Sequence, residues 1–286
     1  MEGVRLTIAY DGTAFAGWAR QPGVRTVQGV LEEAIAAMAG APVEIRGASR
    51  TDAGVHALGQ VAAFDAPRRI PLPGWLRGLN TKLPSDVAIV AVDACPAGYM
   101  PRRDTVDKLY RYVLLTGPTR DPLLRHRAWF LGPQLARPGA PAADSATGPH
   151  RASAWLALDR MREAAACLVG THDFRAFRAS DDPRENTVRT LRRIDVIEGF
   201  FGDPRLVAIE VVGDAFLKNM VRILVGTLVE VGRERWDAEH VARLVASGER
   251  RDAGPTAPPH GLCLVRVRLG RSSTAAAAAP CEAGHA

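Results

Sequence analysis

The chain has 286 residues, 47% of them hydrophobic, and a formal charge of +6, with only Lys82, Lys108 and Lys218 as lysines and arginine supplying the other cations. That length supports a full core in two lobes, and the basic balance favours a polyanionic partner. No apolar run is long enough to span a bilayer, and Met1-Glu2-Gly3 leads into a strand pattern with no secretory signal; Cys95, Cys167, Cys263 and Cys281 lack metal or disulfide spacing. The expectation is a cytoplasmic, reduced protein with no membrane segment, no structural metal and no cofactor.

Val4, Leu6, Ile8 and Tyr10 alternate as in a half-buried strand. Thr26 supplies an N-cap oxygen for a helix whose apolar stripe is Val27, Val30, Leu31, Ala34, Ile35 and Met38. Strands are expected at 43–47, 60–65 and 87–92, with a short helix near Trp75 to Leu79. Further on come a strand at 109–115, a helix at 155–168 and strands at 187–198 and 205–212. A long amphipathic helix carries Phe216, Met220, Val221, Leu224, Leu228 and Val231 on one side. A helix at 237–247 and a strand at 262–269 complete the pattern, which is that of an α+β fold with helices over a mainly antiparallel sheet.

Residues 133–153 are rich in Pro, Ala and Gly without periodicity, and read as a flexible insertion; 271–286 read as a disordered tail. The halves are expected at 1–105 and 106–270. Arginines cluster at 102–103, 120–127 and 184–193, each cluster equally compatible with a solvated face.

Chemistry concentrates in Ser49-Arg50-Thr51-Asp52-Ala53-Gly54-Val55-His56, on a loop between two strand-like segments. Asp52 is its only carboxylate, and the neighbouring Arg50 is expected to favour its ionised form. Asp and Gly also build turns, so composition alone leaves a site and a turn both open. Other blocks stand in series with the octet: Tyr10-Asp11-Gly12-Thr13-Ala14-Phe15-Ala16-Gly17-Trp18, Thr26-Val27-Gln28, Asn80 with Leu83-Pro84, and Tyr110-Arg111-Tyr112. Later ones are Gly170, Asp173-Phe174, Phe177-Arg178, Phe216 with Met220-Val221-Arg222, and Gly261-Leu262. From about residue 4 to 268 this series resembles the tRNA pseudouridine synthase A family.

The resemblance implies two related α+β halves meeting at a central catalytic cleft. It implies conversion of uridine to pseudouridine at positions 38, 39 and 40 of the tRNA anticodon stem-loop, by a homodimer with tRNA as partner. It assigns the catalytic carboxylate to Asp52, acting either by attack at C1′ or by removing the C2′ proton. Arg222, on the long helix, becomes its ion-pair partner, and Tyr110 stacks on the uracil. Arg50 is the candidate for holding the space a flipped base vacates. His56 either contacts RNA or orients the loop, and Leu262 either meets the base edge or is a plain core leucine. Arg20, Arg102, Arg103, Arg178 and Lys218 are backbone-contact candidates.

The chain departs from the family pattern at Ala19, Met100-Pro101 and Lys218-Asn219, which bears on RNA contact rather than on the reaction. Two other readings stay open at this level: a related synthase for another RNA, and an RNA-binding or folding protein without catalysis.

Overall fold

A computed structural model describes residues 2–140 and 151–270. The expected tail at 271–286 and the middle of the expected insertion lie outside these residues. The elements in chain order are β1 (Gly3–Tyr10), α1 (Val27–Ala39), β2 (Arg46–Gly47), β3 (His56–Asp65), α2 (Leu72–Lys82), β4 (Val87–Cys95), α3 (Pro101–Asp104), β5 (Thr105–Thr116), β6 (Trp129–Leu131) and α4 (Ala152–Trp155). They continue with α5 (Leu158–Ala166), β7 (Gly170–Asp173), β8 (Val188–Glu198), β9 (Leu206–Gly213), α6 (Met220–Gly232), α7 (Ala238–Ser247) and β10 (Leu262–Leu269).

One continuous sheet runs β4-β1-β3-β10-β5-β9-β8-β7, with β2 beside β3 and β6 beside β5. Its pairings are antiparallel except β10 with β3 and β5 with β6. The last strand therefore sits in the middle, joining the strands of both expected halves. Leu262 stands opposite Tyr112, and Leu264 pairs with Tyr110 on one side and Ala57 on the other.

Side chains alternate along β5. Tyr110, Tyr112 and Leu114 enter the main core under the helices. On the opposite face Val113 and Leu115 join a smaller cluster with Ala128, Leu206 and Phe200. Arg111 lies on that second face too, bonded to Glu210 at 2.6 Å and resting over the Phe200 ring.

α1 begins where expected: Thr26 Oγ1 accepts from Gly29 N, and Gly40 closes the helix at φ 76°. The long helix differs from its sequence reading. It starts at Met220 rather than near Phe216, and every residue in it except Arg222 is buried. The physical reason is packing on several sides: α5 and β5 lie against it, and the segment after α7 crosses its remaining face. A Cβ at Gly226 would lie 1.8 Å from Pro255 O, so only glycine admits that crossing chain. The expected insertion is also more ordered at its ends than composition indicates, with a helical turn at Pro133–Leu135 and α4 beginning at Ala152.

Gly12 is a second close approach, where the turn after β1 meets the octet loop. A Cβ there would stand 2.0 Å from Val55 O and 3.0 Å from Val55 N. Both atoms are backbone, so no side chain can move aside. Gly12→Ala is expected to lower stability by about 1–3 kcal/mol, read as a lower Tm. Activity at a temperature where the variant is still folded should fall as well, because the loop must shift.

Candidate active site

The loop from Ala48 to Val55 is held by its backbone. Ala48 N donates to Val61 O at 2.8 Å, Gln60 Nε2 to Ser49 O at 2.7 Å, and Trp18 N to Thr51 O at 3.0 Å. Val55 N closes a turn on Asp52 O, and Gly54 N reaches Phe15 O. The Thr51 hydroxyl shares a 2.8 Å hydrogen bond with Tyr10. The segment from Tyr10 to Trp18 is thus the cradle of the octet, and the two motifs are one structure.

Asp52 emerges from this loop with 35% of its side chain exposed. Burial is the leading influence on its carboxyl and pushes its pKa above the ordinary value; Arg222, Lys218 and Arg184 pull it down, while Asp181 adds to the rise. Arg50 is not among these influences. Its side chain is exposed and makes no hydrogen bond or ion pair among the described residues. The expectation that Arg50 favours the ionised form is therefore corrected: sequence adjacency placed it beside Asp52, but the loop turns it to solvent.

Arg222 approaches Asp52 from α6, with Nη1 3.8 Å from Oδ2. Its nearer partners are Ala257 O, which accepts from Nε at 2.7 Å, and Asn219 Oδ1, which accepts from Nη1 at 2.7 Å. Burial lowers its pKa and the Asp52 charge raises it.

Tyr110 stands in the floor beside them. It is 6% exposed, its hydroxyl lies 3.1 Å from Ser49 Oγ, and its ring meets Phe216 edge-on at 5.0 Å. Burial, assisted by the Asp52 charge, pushes this phenol up to about 12, so it stays neutral through the physiological range. Tyr112 is fully buried and donates to Pro258 O at 2.7 Å, a core tyrosine with a bonded tip.

The remaining predicted residues divide. His56 is 6% exposed; its Nδ1 accepts from Gly12 N at 3.0 Å and its Nε2 donates to His260 O at 3.1 Å. Burial and the Arg127 charge lower its pKa, which fits a neutral ring with the proton on Nε2. Asp11 Oδ1 also lies 3.1 Å from Nδ1, and Arg127, bonded to both groups, offsets that contact. Both ring nitrogens are thus engaged by the turn after β1, Arg127 and the His260 carbonyl. Leu262 is 5% exposed within the main core and offers a base little surface. Arg20 pairs with Glu32, Arg178 donates to Arg184 O, and Lys218 is 2.5 Å from Asp181. Arg102 and Arg103 are exposed on α3 without a carboxylate partner among the described residues.

Comparison with known proteins decides the family. A family model described as tRNA pseudouridine synthase matches residues 6–100 and 164–269. The chain belongs to the tRNA pseudouridine synthase family. Relatives named tRNA pseudouridine synthase A include one from Myxococcus xanthus, 44% identical over 267 residues, covering 93% of this chain and 92% of that one. Another, from Geobacter sulfurreducens, is 43% identical over 269 residues, covering 94% of this chain and all of that one. Asp52, Arg222 and Leu262 fall inside the segments matched by the tRNA pseudouridine synthase model, whereas Tyr110 falls between them.

Sequence reasoning missed the segment from Gly254 to His260 in this synthase. Gly254 N donates to Thr227 Oγ1, Ala257 N to Arg222 O, and its carbonyls receive Arg222, Tyr112 and His56 in turn. Side chains from α6, β5 and the octet loop thus converge on one strap. The signal was Gly254-Pro255-Thr256-Ala257-Pro258-Pro259, where prolines leave carbonyls without neighbouring N–H groups.

Removing Arg222 should act on Asp52 in a defined direction. The carboxyl is already raised by burial, and Arg222 opposes that rise, so Arg222→Leu should raise it further. Activity that needs the ionised form should fail first at low pH and recover as pH increases. The loss should be about tenfold for each unit by which the pKa exceeds the assay pH. Single-turnover pH–rate profiles check this, with an unshifted acidic limb contradicting it.

Proposed function

We propose that this synthase isomerises uridine to pseudouridine at positions 38, 39 and 40 of the tRNA anticodon stem-loop, with Asp52 as the acting carboxylate. The observation that carries the reading is the meeting of Asp52, Tyr110 and Arg222 from three separate elements, on a chain of the tRNA pseudouridine synthase family. The net reaction breaks the N1–C1′ bond, turns the uracil and forms C5–C1′. The C5 proton is lost and N1 gains one, so no redox equivalent is consumed. Asp52 acts on the ribose, at C1′ as nucleophile or at C2′ as base, and both routes require its ionised form.

Neutral Tyr110 supplies a ring against the uracil and a hydroxyl near the C5 proton. Arg50, exposed and without a partner among the described residues, is suited to enter the stack and bridge phosphates while the target nucleotide is turned out. Arg102 and Arg103 extend the cationic surface, whereas Lys218 must leave Asp181 before it can serve RNA. A homodimer gripping one tRNA across both copies, working in the cytoplasm, completes the proposal; no described helix is long and apolar enough to cross a membrane.

Asp52→Asn should lower the single-turnover rate by on the order of 10⁴-fold, with tRNA affinity nearly unchanged, because the change removes charge but little volume. Product mapping on an anticodon stem-loop transcript is the readout, and substantial turnover by the purified variant would remove Asp52 from its role.

Binding should weaken with salt as phosphate contacts release counterions. If Arg50, Arg102 and Arg103 are the arginines that meet phosphates, the log–log slope should be about −2 to −3, and Arg50→Ala should flatten it by about one. Filter binding over a salt series measures both, and a flat wild-type line would argue against an RNA substrate.

A further inference from the structure

Asn219 is the residue before α6, and it occupies the left-handed region at φ 60°, ψ 4°. An asparagine at a helix N-cap ordinarily turns its oxygen onto the backbone N–H groups of the first turn. Here it makes no such bond. Its oxygen instead accepts from Arg222 Nη1 at 2.7 Å, an assignment fixed by chemistry because a guanidinium only donates.

The same nitrogen faces Asp52 Oδ2 at 3.8 Å, beyond hydrogen-bond range. The guanidinium is pinned at its other side by Nε on Ala257 O. Arg222 therefore lends Asp52 its charge without occupying a carboxylate oxygen. That distinction matters to the reaction, since a carboxylate spending a lone pair on the sugar is blunted by a direct two-pronged ion pair.

We propose that Asn219 is a positioning residue that keeps Arg222 at charge-pairing distance from Asp52 while withholding a hydrogen bond from the carboxylate. The inference rests on the reading of Asp52 as the acting group. The other charged or titratable groups around the pair are Lys218, Asp181 and Arg184 beside Asp52, and Tyr110 from β5. Tyr112 and His260 face Arg222. None of these accepts from Nη1, so loss of Asn219 leaves Asp52 as the nearest anion for that nitrogen.

Two variants preserve the left-handed backbone, which Gly and Asp both tolerate. Asn219→Gly deletes the oxygen, and Nη1 then closes on Asp52. The acidic limb of the single-turnover pH profile should move down and the plateau rate fall about tenfold, with tRNA affinity unchanged. Asn219→Asp keeps the acceptor but adds a negative charge that competes for the guanidinium, so its acidic limb should move up. Opposite shifts are the signature, since mere damage to the helix start would lower both rates with the limb unmoved. A Gly variant with wild-type limb and plateau, or two variants shifting together, overturns the proposal. Asp52→Asn is run alongside: turnover by it overturns the reading of Asp52 itself, whereas an inactive Asp52→Asn with a wild-type Asn219→Gly overturns only the role of Asn219.

Discussion

Trp18 N–H on Thr51 O, Gln60 on Ser49 O and Ala48 N–H on Val61 O fix the backbone on either side of Asp52. A loop whose peptide groups are committed to neighbours can hold a side chain at one place without using that side chain for structure. The rest of the molecule follows from this constraint. β1 must end where Tyr10 can meet Thr51, Gly12 must lack a side chain to admit Val55, and β3 must begin with a histidine that reaches Gly12. The sequence blocks around residues 10–18 and 47–56 look like two motifs because the chain visits one cradle twice.

The second half of the site is assembled by the strap from Gly254 to His260. Its carbonyls bind Arg222, Tyr112 and His56, so a helix, a strand and the loop share one length of backbone. β10 follows at once and enters the sheet between β3 and β5. The last strand therefore completes the sheet between β3 and β5 and delivers the strap to the site in the same step. Burial of the site has an electrostatic result: Asp52 is raised by desolvation and pulled back by cations on α6 and on the chain before it. A carboxyl set by opposing influences responds to small changes in the distance of either.

The arginine clusters show how little a count of charges says about binding. Arg127 holds Asp11, Arg184 holds Asp182, Arg193 pairs with Asp195, and Arg205 ties Asp203 to Asp121. Arg127 and Arg205 fasten segments far apart in sequence, whereas Arg184 and Arg193 pair with a carboxylate two residues away. Arg50, Arg102 and Arg103 remain directed outward, as do Arg68, Arg69, Arg77, Lys82, Arg120 and Arg266, so the free cations among the described residues are spread over the surface and their number alone marks no binding face.

Local pattern sufficed for much of this protein. Alternation along β1, the Thr26 cap of α1, the span of β10 and the Asp52 octet are read from neighbours within a few residues, where sterics and hydrogen-bond chemistry act directly. The bounds of β5, the short strands β6 and β7 and the all-round burial of α6 were not, because each depends on what packs against it from far along the chain. Arg50 and Arg222 make the same point at the site. Adjacency placed Arg50 next to Asp52, yet the turn of the loop sends it to solvent, while Arg222, 170 positions away in sequence, is the arginine with the largest effect on the carboxylate. The sequence determined which chemical groups were available and which stretches would be strand or helix. Only the tertiary structure decided which of those groups meet, because distance through space, not along the chain, sets a hydrogen bond, a desolvated carboxyl and the 3.8 Å between Arg222 and Asp52.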